Sequence, residues 1–243
     1  MLEPELELDP FIANLYSASA NADNVNFRKQ ALHLLHNVIP YDAALWATGS
    51  FEMRTFHTAT TIDLPNDFAP NLINRHSINP IIDELYKNPG QSVDISDSIS
   101  DSVFFESEVY QRCFQPYGIE RILSSAHLQE RSGIFTILTL YRKDRQQSFT
   151  SAEKRVHNRA LYHLLSAASQ SNFLHLKQQQ LLKPIHCAAI CDQHGFIYEV
   201  EPAFVGLLDR AFPERSANKI PLPIQLGERH DHPRINYACT ALG

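Results

Sequence analysis

The run GIFTILTLY, Gly133 to Tyr141, constrains this chain most, because its apolar residues fall on both faces of an extended segment. A strand with one wet face alternates apolar and polar residues. One that is apolar throughout must be covered on both sides, and so belongs in the middle of a sheet. The preceding ILSSAHL, Ile122 to Leu128, is separated from it by the polar stretch Gln129 to Ser132 and reads as its neighbour. A covered central strand needs packing on both faces, and 243 residues with 44% hydrophobic content can bury substantial cores.

The first helices are legible near the N-terminus. Asp9 and Pro10 give an N-cap and a pre-set first turn before Phe11, Ile12, Leu15 and Tyr16. Asn21 to Asn24 breaks that pattern. A second stripe, Phe27, Ala31, Leu34, Leu35 and Val38, recurs every three or four positions and ends at Pro40. Ala43 to Thr48 and Thr55 to Thr61 then read as an antiparallel pair around a Gly49-Ser50 turn. From Pro65 to Gly90, prolines and capping residues predict short helices and loops, with Asn79-Pro80 opening IIDELYK. Between 103 and 117, Phe104, Phe105, Val109, Tyr110, Cys113 and Phe114 stand at helical spacing before Pro116 and Gly118.

Thr150-Ser-Ala-Glu153 is a capping box, and it opens a helical run to about Leu182, roughly 48 Å at the rise of an α-helix. A helix of that length is expected to serve as a connector or a dimer seam. Val156, Leu161, Leu164, Leu165, Ala168 and Leu174 form the stripe for it, although Asn158, Ser169, Gln170 and Asn172 interrupt a sustained coiled coil. After Pro184 the pattern changes to a strand IHCAAIC, a turn Asp192 to Gly195, a strand FIYEV and a short helix PAFVGLLDRAF. The tail from Pro213 shows little periodicity. The expected division is 1–150, a connector 151–183, and a smaller unit 184–243.

Charge and motifs narrow the function. The formal charge of −6 comes with no basic block, against direct contact with nucleic acid by these residues. No apolar run approaches a membrane span and MLEPELELDP lacks the layout of a signal peptide, so a cytoplasmic chain without membrane attachment is expected. Four irregularly spaced cysteines, Cys113, Cys187, Cys191 and Cys239, suit reduced structural thiols. Cys187 and Cys191 lie four apart on one expected strand, too far to chelate closely. The pairs His33/His36 and His230/His232 lack further converging ligands, so no metal and no cofactor is expected. Nucleophile-elbow, phosphate-loop and zinc-protease motifs are absent, and Cys113 falls on an apolar stripe where a thiol is inert. The expectation is a protein that is not an enzyme.

Several phrases resemble a known family. VIPYDAALW (38–46), SEVYQRCFQPYGIERILSSAHL (107–128) and GIFTILTLYRKDRQQSFTSAEKRVHNRALYHLLSA (133–167) are similar to the GAF-like sensor domains upstream of LuxR-type helix-turn-helix domains in bacterial transcription regulators. The smaller unit resembles the start of a PAS-like domain. The resemblance implies an α+β fold, a GAF/PAS-like antiparallel sheet flanked by helices. It also implies an unidentified small-molecule ligand, a homodimer, and action on DNA through a helix-turn-helix domain that these residues do not include. Candidate ligand-binding residues are Trp46, Phe56, Phe104, Tyr110, Tyr117, His127 and Phe135, with Trp46 and His127 foremost because both lie on strands near the sheet's middle. The competing reading is a dimerisation or protein-interaction module whose pocket is filled by its own aromatics.

Overall fold

The computed structural model describes residues 4–21, 24–50, 55–75, 78–129, 133–178, 187–226 and 230–239. Helices α1 (Leu8–Asn21) and α2 (Asn24–His36) precede strands β1 (Ala43–Ser50) and β2 (Thr55–Ile62). Helices α3 (Phe68–Asn74) and α4 (Pro80–Lys87), strand β3 (Ser92–Asp94), and helices α5 (Ile95–Ser98) and α6 (Asp101–Glu106) follow. A π-helical turn (Tyr110–Phe114) leads to β4 (Arg121–Gln129), β5 (Ile134–Arg142) and the 28-residue α7 (Ser151–Gln178). The first five strands form one antiparallel sheet in the order β2-β1-β5-β4-β3, so β5 is central as its composition requires. All nine of its residues are buried.

Register sorts the side chains into two cores. Ala44, Trp46, Leu138, Leu140 and Leu123 face α1, α2 and α7, where Phe11, Leu15, Phe27, Leu35, Val156, Leu161 and Leu164 meet them. Ala43, Leu45, Ala47, Ile122 and Tyr141 face the opposite layer, built from α3 to α6 and the π-helical turn. The period-2 alternation of a strand produces this division. The result is the α+β fold that the resemblance implies, an antiparallel sheet flanked by helices.

Several local details differ from the sequence reading. Asp9 does not cap α1, which already begins at Leu8; it sits in the first turn, where a carboxylate favours the helix dipole. Gly49 and Ser50 are not the turn between β1 and β2. Both belong to β1, which takes a bulge between Thr48 and Gly49, and the connection at 51–54 lies outside the described residues. The apolar stripe 103–117 is not one helix. Ser107 is extended at φ −73°, ψ 150°, its hydroxyl donates to the Phe104 carbonyl at 2.6 Å, and it accepts from the Tyr110 amide at 3.2 Å. A serine that satisfies the backbone on both sides ends one helix and starts the next.

The capping box is formed as its spacing predicts. The Thr150 amide and hydroxyl donate to Glu153 Oε2 at 2.7 and 3.0 Å, and the Glu153 amide donates back to Thr150 Oγ1 at 3.2 Å. The stripe of α7 does not form an outward seam. Val156, Leu161, Leu164 and Ala168 are buried in the sheet-facing core, and Leu165 and Leu174 turn toward a cleft described below. Among the residues of α7 whose side chains are described, those that stand exposed are Ser151, Arg155, Arg159, Tyr162, Ser166 and Gln170, a mostly polar face. The reach toward Leu182 lies outside the described residues.

Beyond α7, β6 (Ala189–Cys191) and β7 (Ile197–Val200) form a hairpin, and α8 (Pro202–Ala211) packs on it. Asp192 shapes the turn by accepting from the His194 and Phe196 amides at 2.8 and 2.9 Å, and Gly195 adopts φ +83°. Cys187 precedes β6 rather than sharing that strand with Cys191. In the tail, a two-residue pairing joins β8 (His230–Asp231) to β9 (Asn236–Tyr237). The β6-β7 hairpin with α8 docks on the end of the main sheet. Ile134 of β5 joins Ile197, Val200, Val205, Leu208, Ile220 and Leu222 in a third core, and Gly133, at φ +68°, lies directly against Asn218.

Candidate functional site

The face of the sheet turned toward α7 carries a polar row at one end. Thr58 of β2 pairs with Thr48 of β1, Thr48 with Thr136 of β5, and Thr136 with His127 of β4. In-register pairing therefore sets four polar side chains side by side across four strands. Thr48 and Thr136 share a hydrogen bond at 3.1 Å. Arg28, projecting from α2, donates to Thr58 Oγ1 at 2.9 Å and to Thr48 Oγ1 at 3.1 Å. Its guanidinium lies 4.9 Å from the centroid of the Trp46 ring, one residue pair further along the sheet. A cation on an indole face in a desolvated place is favourable by about 2 kcal/mol.

This row forms the floor of a half-open cleft of about 550 Å³ between the sheet, α7 and the β6-β7 hairpin. Trp46, Ile134, Leu165, Phe173, Leu174 and Val200 supply apolar walls, and Arg28, Thr48, His127, Gln129, Thr136, Ser169 and Glu199 supply polar groups. Mixed lining of this kind and size suits a small molecule. Glu199 comes from β7 and accepts from Asn172 Nδ2 at 3.3 Å and from Ser169. Burial, its largest influence, raises the Glu199 carboxyl above the ordinary range, while Arg28 opposes that rise. Burial likewise lowers Arg28, with Glu199 opposing. Burial alone lowers His127, which keeps it neutral near pH 7. Beside the cleft, the His57 ring stacks on Tyr198 with centroids 4.6 Å apart, a further contact between sheet and hairpin.

Of the seven candidate residues, the structure brings Trp46 and His127 together in this cleft. Phe104, Tyr110 and Tyr117 belong to the opposite face. Phe104 packs against Tyr110 at 5.3 Å and Phe114 at 6.1 Å, Tyr110 against Phe105 at 4.8 Å, and Tyr117 against Phe68 at 4.9 Å. The Tyr110 hydroxyl donates to Glu120 Oε1 at 2.8 Å, and burial pushes its phenol up to about 12. Phe56 and Phe135 face one another at 5.8 Å on that same side, in the row of Gly49. These five fill space among their neighbours.

Arg28, Thr48, Thr136, Ser169 and Glu199 escaped the sequence reading. Thr48 and Thr136 occupy the positions of their strands that continue the inward faces of Trp46 and Leu138, so the alternation itself held the signal. Arg28 and Glu199 are 171 positions apart by their numbers in the chain and share no motif.

Cys113 is buried and its thiol is pushed up by burial. His36 packs edge-on to Tyr41 at 4.9 Å, and His232 against Phe212 at 5.3 Å. Among the described residues no three metal-ligating side chains converge, and no helix is long and apolar enough to cross a membrane.

No family model and no curated protein matches the chain. Solved structures do align with it. The VqsR LBD domain from Pseudomonas aeruginosa is 13% identical over 68% of this chain and 96% of its own, at a TM-score of 0.49. The N-acylhomoserine lactone-dependent LuxR family transcription factor CepR2 from Burkholderia cenocepacia is 13% identical over 70% and 98%, at 0.47. The GAF domain/HD domain protein from Geobacter sulfurreducens is 18% identical over 66% and 98%, at 0.43. This chain is similar to LuxR-family and GAF domains to that extent.

Proposed function

We propose that this chain is the ligand-sensing, regulatory region of a LuxR-type transcription regulator, and that the cleft under α7 is where its ligand enters. In this reading residues 1–150 form the sensor domain, 151–183 the connector and 184–243 a PAS-like unit. The observation that carries it is the placement of the cleft. The C-terminal half of the long helix and the β6-β7 hairpin both line it, opposite the polar row of the sheet. A ligand touching all three would favour one arrangement of helix and hairpin over others, and a population shift of that kind can pass along α7 to a helix-turn-helix domain beyond these residues. Cytoplasmic residence, a homodimer and the lack of a catalytic role belong to the same proposal. A dimer would have to use a surface other than the apolar stripe of α7, which the chain's own core occupies.

A thermal-shift screen of metabolites tests this, run in parallel on Ser166→Trp, a substitution at the exposed rim of the cleft. A compound that raises the Tm of the parent and not of the variant supports the sensor. If every stabilising compound acts equally on both, the cleft is not the site.

One observation favours a second reading. The sheet face under α3 to α6 is filled by Phe68, Phe104, Tyr110, Phe114 and Tyr141, as an interaction module without a ligand would have it. A screen in which nothing stabilises the chain supports that alternative.

A further inference from the structure

We infer that the cleft takes a zwitterionic ligand with an apolar body, an α-amino acid with a large apolar side chain, its carboxylate toward Arg28 and its ammonium toward Glu199. This rests on the reading of the cleft as a ligand site.

Arg28 and Glu199 reach the cleft from α2 and from β7. Their formal charges are opposite, so a bare anion attracted by one is repelled by the other, and a bare cation likewise; Glu201, the third charged residue of the lining, accepts from the Ala188 amide at 2.7 Å. A ligand carrying both charges is complementary to both, and opposed pairing also fixes which way round it binds. The hydrogen bonds leave room for this. Arg28 uses Nη1 and Nη2 on Thr58 and Thr48, two of the five N–H donors of a guanidinium. Glu199 accepts from neutral donors, Asn172 and Ser169, which suit a carboxylate less well than an ammonium would.

The direction of the titration shifts agrees. For both groups burial acts against the charged form more strongly than the partner's field restores it. Each charge is therefore only partly compensated within the chain, and a second dipole lying antiparallel to the first would compensate both. The walls select the rest of the ligand. Trp46, Leu165, Phe173 and Leu174 surround the polar ends with apolar surface. A volume of about 550 Å³ accommodates a bulky side chain with space to spare.

The test is isothermal titration of the whole chain with L-phenylalanine, with phenethylamine, which lacks the carboxylate, and with 3-phenylpropionate, which lacks the ammonium. L-Leucine and L-tryptophan extend the series. The expected result is binding of at least one of the amino acids, with the singly charged analogues at least about ten-fold weaker than phenylalanine. Arg28→Lys should weaken the amino acid more than it weakens phenethylamine, and Glu199→Gln should weaken the amino acid while strengthening phenylpropionate. Because the analogue series uses the unaltered chain, a variant that misfolds does not remove the test. The inference is overturned if a singly charged analogue binds as well as the amino acid, or if none of the amino acids binds. It is also overturned if binding persists in Ser166→Trp, which would put the amino acid elsewhere. The failure of the broader reading looks different. If another class of compound binds and is lost in Ser166→Trp, the cleft remains a ligand site and the zwitterion is wrong. If no compound is sensitive to that variant, both fail.

Discussion

Arg142 donates to Glu153 at 2.6 Å, with 8% and 9% of the two side chains exposed, and so ties the end of the central strand to the first turn of the long helix. The same guanidinium donates to the Pro40 carbonyl at 3.0 and 2.8 Å and to the Ser148 carbonyl at 2.9 Å, with its carbon 4.1 Å from the centroid of the Phe149 ring. A buried pair this well bonded costs little to keep and much to break, because removing one partner strands the other charge. Arg142→Met should destabilise the chain by about 3 kcal/mol or more. Adding Glu153→Gln should recover part of that loss, since the stranded charge is then gone. Urea denaturation of the single and double variants measures both, and purely additive losses would contradict this account.

His157 sets an acid limit on stability. It is buried on α7, its Nδ1 lies 2.8 Å from Ser92 Oγ, and its Nε2 has no hydrogen-bond partner among the described residues. Burial lowers its imidazole to about 3. Above the ordinary histidine value both folded and unfolded forms are neutral and the group has no effect on stability. As pH falls from about 6.5 toward 3, the unfolded chain takes up a proton that the folded chain refuses, so stability falls by at most about 1.4 kcal/mol per pH unit. His157→Leu should flatten the decline of Tm between pH 6.5 and 4, and an unchanged decline would assign acid sensitivity to other groups.

Gly133 is a point of close contact between the main sheet and the C-terminal unit. A Cβ at this position would lie 2.9 Å from Asn218 Cβ and 3.2 Å from the Asn218 backbone nitrogen, and φ of +68° disfavours any side chain. Gly133→Val should cost about 1–3 kcal/mol through local strain. The loss should appear as faster amide exchange in residues 187–226, while Leu138 and Leu140 at the centre of the sheet stay protected.

Trp46 is the chain's single tryptophan, so its fluorescence reports on the cleft without labelling. Its 1% exposure predicts blue-shifted emission and weak quenching by acrylamide. Arg28→Ala removes the cation from its face and should change both intensity and quenching. If neither changes, the Arg28 to Trp46 contact does not persist in solution.

Periodicity and capping determined much of this protein in one dimension. The doubly apolar run 133–141 demanded a central strand, the stripes of α1 and α2 demanded a covering layer, and Thr150 with Glu153 marked where the long helix starts. These signals are local, because a strand's alternation and a helix's first turn depend on neighbours a few residues away. Trp46 and His127 were legible as strand residues near the middle of the sheet for the same reason. The tertiary structure decided what they face. Strand register separates Trp46 and His127 in the cleft from Phe56 and Phe135 on the other face, since one step along a strand exchanges one face of the sheet for the other, and the helical layer packed on that other face holds Phe104, Tyr110 and Tyr117. Arg28 and Glu199 lie outside any local pattern; helix packing on the sheet and docking of the hairpin at Gly133 bring them to one cleft, and both depend on contacts between distant segments.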